Sequence, residues 1–237
     1  MSEKPVNTAI YWYHGWACTP AIWTDMVPLI DVGPGGKMMH HFCSRGYNEW
    51  YPAREIQLDT RAERHVIVTH SMGGLFVDQY IARRAEYCFV ISGFINFHDI
   101  NPAASKTILR RMIRAFGHNP ENVLNEFYQN MTYPLQEEEQ QQVIARLQQI
   151  NCKETLYADL LMLNEAHISP EYLAGIPNVF IFHGLKDRIV PSQHADLLAN
   201  HCQSDVHLID NGGHALPLTH VGELASVINN TWLSPKN

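Results

Sequence analysis

The stretch that most limits what this chain can fold into is Val66-Ile67-Val68-Thr69-His70-Ser71-Met72-Gly73-Gly74. Its first half is short, β-branched and continuously apolar, the composition of a strand covered on both faces. It runs without a spacer into a serine followed by a methionine and two glycines. A strand that passes this abruptly into a helix needs a small residue two places beyond the serine, and Gly73 and Gly74 supply it. Leu75–Glu86 then has helical spacing. A serine in such a corner projects its hydroxyl above the carboxyl end of a sheet. There, free N–H groups and the dipole of the following helix favour a developing negative charge. Taken alone, the serine also fits a simple helix cap.

The rest of the chain repeats the alternation. Val6–Tyr13, Lys37–Cys43, Tyr87–Ser92, Asn178–His183 and Asp205–Ile209 read as further short strands, and a short helix is expected around Pro20–Ile30. Strands alternating with helices indicate an α/β fold with a mostly parallel central sheet flanked by helices. Between His98 and Ser169 the rhythm stops. Ala104–Phe116, Pro120–Asn130, Leu135–Ile150 and Lys153–Leu163 all read as helices, with Asn119 and Pro120 forming an N-cap and first-turn pair. Glu137–Gln142 reads as a solvated helix face. The expected organisation is a core of residues 1–97 and 170–237, interrupted by an all-helical insertion of four helices at 98–169.

A serine hydroxyl becomes a nucleophile only beside a base, and the base needs an acid to fix its tautomer. On a nucleophile elbow the chain order is Ser, then Asp or Glu, then His. The strand at Phe180–His183 is followed by Gly184 and, in the next loop, Asp187. The strand ending at Ile209 is followed by Gly212-Gly213-His214. Order and strand-end placement bring Ser71, Asp187 and His214 to one sheet edge, with Asp210 the competing acid. His70 is expected to point away from the site. The first strand ends at His14-Gly15-Trp16, so the backbone N–H of Trp16, with that of Met72, would complete an oxyanion hole. Thr69 departs from the usual glycine of G-x-S-x-G.

Composition narrows the partners. Seventeen basic against 24 acidic residues give a net charge of −7, which disfavours nucleic acid. No run is long and apolar enough to span a bilayer, and the first residues lack the features of a signal peptide. Five scattered cysteines without a CxxC argue against disulfides or a zinc site and fit a cytoplasmic protein. Without an evident dimer stripe, a monomer is the default expectation.

His14-Gly15-Trp16, Ser71 in its elbow, Gly-x-x-Asp at Asp187 and Gly213-His214 together resemble the α/β-hydrolase superfamily over nearly the whole chain. Within it, the sequence is similar to the BioH-type pimeloyl-ACP methyl ester carboxylesterases. The shared points are small size, the His-Gly-Trp opening, a four-helix cap and the stretch Asn119–Phe127. The resemblance implies an α/β-hydrolase fold with the insertion as a cap or lid, and a serine esterase needing no metal or organic cofactor. It makes Ser71 the nucleophile, Asp187 the acid and His214 the base, with Trp16 and Met72 as oxyanion donors and Trp16 and Phe127 beside the substrate. It implies an acyl carrier protein as partner. Lys106, Arg110, Arg111 and Arg114 on the first cap helix are the basic patch that such an acidic protein would dock on, although they read equally as a solvated helix face. The triad also serves short-chain esterases, thioesterases, lactonases and carbon–carbon bond hydrolases, and a non-catalytic binding protein on the same scaffold stays open.

Overall fold

A computed structural model describes residues 6–33, 35–147, 150–168 and 173–233. Six strands form one sheet: β1 (Asn7–Tyr13), β2 (Lys37–Phe42), β3 (Arg64–His70), β4 (Tyr87–Ile91), β5 (Asn178–Gly184) and β6 (Val206–Ile209). Their order is β2-β1-β3-β4-β5-β6, and every pairing is parallel. Each agrees with an expected strand to within two residues.

The inner strands β1, β3, β4 and β5 are largely apolar because both faces are covered, whereas the edge strands β2 and β6 are only half-buried and carry histidines. Ile10, Trp12, Val66, Val68 and Phe89 enter one core, while Ala9, Tyr11, Ile67, Cys88 and Val90 enter the other. β1 lies inside the sheet; the chain then moves to one edge with β2 and returns across β1 to build the other side with β3 to β6. The direction of winding therefore reverses between β1 and β3, and a crevice opens at their carboxyl ends. Register matters here: Tyr13 pairs with Thr69, and His70 with Ile91. Thr69, where a glycine is usual, is an ordinary buried residue of that ladder.

The corner after β3 departs from expectation. Instead of one helix over Leu75–Glu86 there is a 3-10 turn, Ser71–Phe76, then extended Val77, then a short helix α1 (Gln79–Ala82). Two glycines weaken helix formation, and Asp78 caps the new start by accepting from the N–H groups of Tyr80 and Ile81 at 2.8 and 3.1 Å. The site therefore has the free N–H groups of a helical turn but no long helix dipole behind them.

Between β4 and β5 come α2 (Pro102–His118), α3 (Pro120–Thr132), α4 (Glu137–Leu147) and α5 (Lys153–Leu163). Asn119 caps α3 through the Asn122 N–H at 3.0 Å. The expected continuation of α4 over residues 148–149, and the expected end of the insertion at 169, lie outside the described residues. α6 (Gln193–Cys202) packs on one core, through Ala195 and Leu198. α7 (Leu216–Thr219) and α8 (Val221–Leu233) pack on the other.

The insertion is bolted to the sheet domain by polar contacts. Arg45, beyond β2, makes a two-pronged ion pair with Asp159 of α5 at 2.9 and 2.6 Å. Tyr47 donates to the same carboxylate at 2.6 Å. The Arg45 guanidinium lies 4.0 Å above the Phe76 ring. Tyr128 of α3 donates to the Ala17 carbonyl at 3.0 Å. The cysteines are all free; Cys18, Cys43 and Cys88 are buried, and Cys152 and Cys202 half-buried.

Candidate active site

Ser71 sits at φ 54°, the left-handed region that a non-glycine residue rarely occupies. The strain is held by what surrounds the turn. A Cβ on Gly73 would lie 2.3 Å from the Tyr13 carbonyl oxygen, so only glycine lets the turn press against the end of β1. Gly15 does the same from the other side, where a Cβ would meet that of Ser71 at 2.8 Å.

Asp187 and His214 meet. His214 Nδ1–H donates to Asp187 Oδ2 at 2.7 Å, with both side chains buried. The other carboxylate oxygen accepts from the N–H groups of Ile189 and Val190 at 2.8 and 2.9 Å. Burial pushes the Asp187 carboxyl upward, but His214, the nearby His183 and the backbone donor outweigh it and hold the group below its ordinary value. With Nδ1 as the donor, Nε2 of His214 carries the lone pair. That buried atom has no hydrogen-bond partner among the described residues. Asp210, the competing acid, is exposed, and the carboxylate bound to His214 is that of Asp187.

His70 is where the sequence reading is wrong. Its ring does not point away: Nε2–H donates to the backbone carbonyl of His214 at 2.9 Å, and the two rings lie 4.9 Å apart. Alternation along β3 puts the residue before the elbow on the face opposite Thr69, and that face here carries the His214 loop. Burial first, and then the charge of His214, push its pKa down to about 3, so it is a neutral donor at ordinary pH. On the cap side of the same loop, Ala215 N–H donates to the Met131 carbonyl of α3 at 3.1 Å.

Trp16 is buried, its indole N–H bound to the Leu156 carbonyl at 2.9 Å and its ring edge-on to Phe127 at 4.8 Å. The backbone N–H groups of Trp16 and Met72 serve no turn or loop hydrogen bond among the described residues. Met72 is the second residue of a 3-10 turn, a position without an intrahelical partner. A cavity of about 450 Å³ opens over Ser71, Met72 and Trp16, and Phe127 is in its wall. Its other walls are largely apolar, with Phe94, Phe97, Leu109 and Leu160 among them.

The four basic residues of α2 are all exposed, yet they do not share one surface. Lys106 borders a hollow with His98 and Glu165. Arg110 and Arg114 border a groove beside Tyr157 and Leu161 of α5. Arg111 lines the cavity over Ser71. Successive residues on a helix point about 100° apart, which separates Arg110 from Arg111.

Arg45, Tyr47 and Asp159 were not singled out from the sequence. A signal was present: Asp159 stands on the stripe of Leu156, Leu160 and Leu163 at helical spacing, and a carboxylate on an apolar stripe needs a partner.

A family model described as the alpha/beta hydrolase family matches residues 12–227. The chain belongs to that family. No curated protein matches the sequence. Among solved structures, this hydrolase is similar to an esterase from Exiguobacterium antarcticum, with 16% identity, a TM-score of 0.74, and 98% of this chain and 94% of that one covered. It is also similar to an enol-lactonase from Burkholderia xenovorans LB400, with 12% identity, a TM-score of 0.72 and coverage of 98% and 93%. A third is BioG from Haemophilus influenzae, with 13% identity, a TM-score of 0.62 and coverage of 90% and 91%. At such identities the likeness is one of fold. Among the described residues of this alpha/beta hydrolase, no helix is long and apolar enough to cross a membrane.

Proposed function

We propose that this alpha/beta hydrolase is a serine carboxylesterase, and that its substrate is the methyl ester of a dicarboxylic acyl chain carried by acyl carrier protein. The observation that carries the esterase reading is the Asp187–His214 hydrogen bond, which leaves the outer nitrogen of His214 unpartnered; the strained Ser71 at the end of β3 supplies the nucleophile. Ser71 Oγ attacks the ester carbonyl, and its proton passes to His214 Nε2. Asp187 stabilises the imidazolium. The N–H groups of Trp16 and Met72 receive the oxyanion. His214 then protonates the departing alkoxide. Water, deprotonated by the same nitrogen, attacks the acyl-serine and releases the acid and free Ser71. No hydrogen bond joins Ser71 to His214 in this structure; such contacts commonly tighten only with substrate bound.

The carrier-ester reading is supported by the apolar cavity, which suits an acyl chain, and by Arg110 and Arg114 outside it, which suit an acidic protein surface. Hydrolysis of methyl pimeloyl-ACP and of p-nitrophenyl butyrate tests both readings. Ser71→Ala should abolish both activities while the protein stays folded; an active Ser71→Ala protein would sink the mechanism. Charge reversal at Arg110 and Arg114 should lower carrier-ester cleavage at least tenfold relative to the butyrate. A wild type that cleaves the butyrate but not the carrier ester refutes the carrier reading and leaves the esterase.

A further inference from the structure

The cavity over Ser71 is apolar along most of its wall, but it includes two arginines from different parts of the chain. Arg111 comes from α2, and Arg188 from the loop after β5. Neither guanidinium has an ion-pair partner among the described residues. Arg188 is fixed in place twice over. Its backbone is part of the turn that Asp187 closes by accepting from Ile189 and Val190. Its guanidinium carbon lies over the Tyr133 ring, 3.2 Å from the centroid. A cation over a ring face is held there by the ring quadrupole, and an arginine so anchored can still present N–H donors to a planar or tetrahedral oxyanion. One acid shares the lining, Glu126, and its carboxylate already accepts from Asn122 at 2.8 Å and is ion-paired to neither arginine.

We infer that Arg111 and Arg188 form an anion subsite in the wall of the cavity. The preferred esters are then those that carry an anionic oxygen group, a carboxylate or a phosphate, across an apolar segment from the scissile carbonyl. The inference rests on the esterase reading for where the ester sits, and it does not depend on a carrier protein. It also gives the basic residues of α2 different roles. Arg111 faces the small molecule, whereas Arg110 and Arg114 face outward.

The test compares three methyl esters, namely methyl hexanoate, monomethyl adipate and methyl 6-phosphonooxyhexanoate. Wild type should favour at least one anionic ester over the neutral one in kcat/KM. Arg188→Gln and Arg111→Gln should each lower that ratio about tenfold, chiefly through KM, as expected for the loss of one charged hydrogen-bond partner. Arg83→Gln, an exposed charge on α1's far end, should leave the ratio where it was. Preference for the adipate identifies a carboxylate ligand, and preference for the phosphate ester identifies a phosphate. A wild type without preference, or ratios untouched in both arginine variants, overturns the subsite. If no ester is cleaved, the esterase reading fails by itself. Calorimetric titration of Ser71→Ala with monomethyl adipate, methyl 6-phosphonooxyhexanoate and methyl hexanoate then decides the subsite: tighter binding of either anionic ester that is lost in Arg188→Gln supports it, and equal binding of all three ends it.

Discussion

The rim of the sheet and the helical insertion build one cavity by opposite means. At the rim, position is set by backbone: Ser71 is held in a left-handed conformation, and Gly73 and Gly15 admit contacts that a single methyl group would forbid. In the insertion, position is set by side chains, through the Arg45–Asp159 pair, Tyr47 and the apolar wall. A backbone-built site tolerates almost no substitution at its contact points. A side-chain-built wall can change its lining while its anchors stay.

The largest effect expected from breaking the rim is Ser71→Ala, with a loss of ester turnover of about 10⁴-fold or more and an unchanged far-ultraviolet circular dichroism spectrum. Next comes Gly73→Ala, which drives a methyl group into the Tyr13 carbonyl. It should cost about 3 kcal/mol or more, read as a fall in Tm of about 10 °C; an unaltered Tm would mean the corner can relax. On the insertion side, Asp159→Leu leaves Arg45 and Tyr47 without their acceptor. Since the Arg45 side chain is 30% exposed, the cost should be about 2 to 3 kcal/mol, below that of orphaning a fully buried charge. Denaturant unfolding would show it, and Arg45→Met in the same chain should recover part of the loss.

Acid sharpens the contrast further. Burial pushes His14 and His70 at the rim down to about 4 and about 3, against an ordinary value of 6.5. Below pH 6.5 the unfolded chain therefore takes up protons that the fold refuses, and stability falls as pH drops. Between pH 6.5 and 5 each contributes roughly 1 to 2 kcal/mol of that loss, and His70→Gln should flatten the slope of stability against pH. The smallest effect has the opposite sign. Ser71→Gly relieves the left-handed strain, so it should raise stability by about 1 kcal/mol in a protein with no esterase activity.

The same division explains what the sequence made legible. The inner strands, buried on both faces, leave unbroken apolar runs and were readable for that reason; the half-buried edge strands β2 and β6 were readable only from shorter apolar stretches broken by histidines. The Asp187–His214 pair was readable from its place at two strand ends. The corner after β3 was not, because Asp78 and two glycines defeat a helical period that Leu75–Glu86 otherwise displays. His70 was misread because its partner is a backbone carbonyl 144 residues away, and no side-chain pattern announces a carbonyl. The fanning of Lys106, Arg110, Arg111 and Arg114 depends on how α2 is rotated against its neighbours, which charge spacing alone does not specify.

The anchors between cap and sheet bear on how such enzymes diversify. Helical insertions at this point in the chain are natural units for exchange between relatives, since the strands on either side are already paired. Here a transplanted insertion would have to bring a carboxylate to meet Arg45 and Tyr47, a hydroxyl to reach the Ala17 carbonyl, and a free carbonyl to receive Ala215 beside His214. A graft lacking the last would loosen the loop that carries His214, the base of the proposed mechanism, so a change of substrate range by cap swapping would also disturb the chemistry it was meant to redirect.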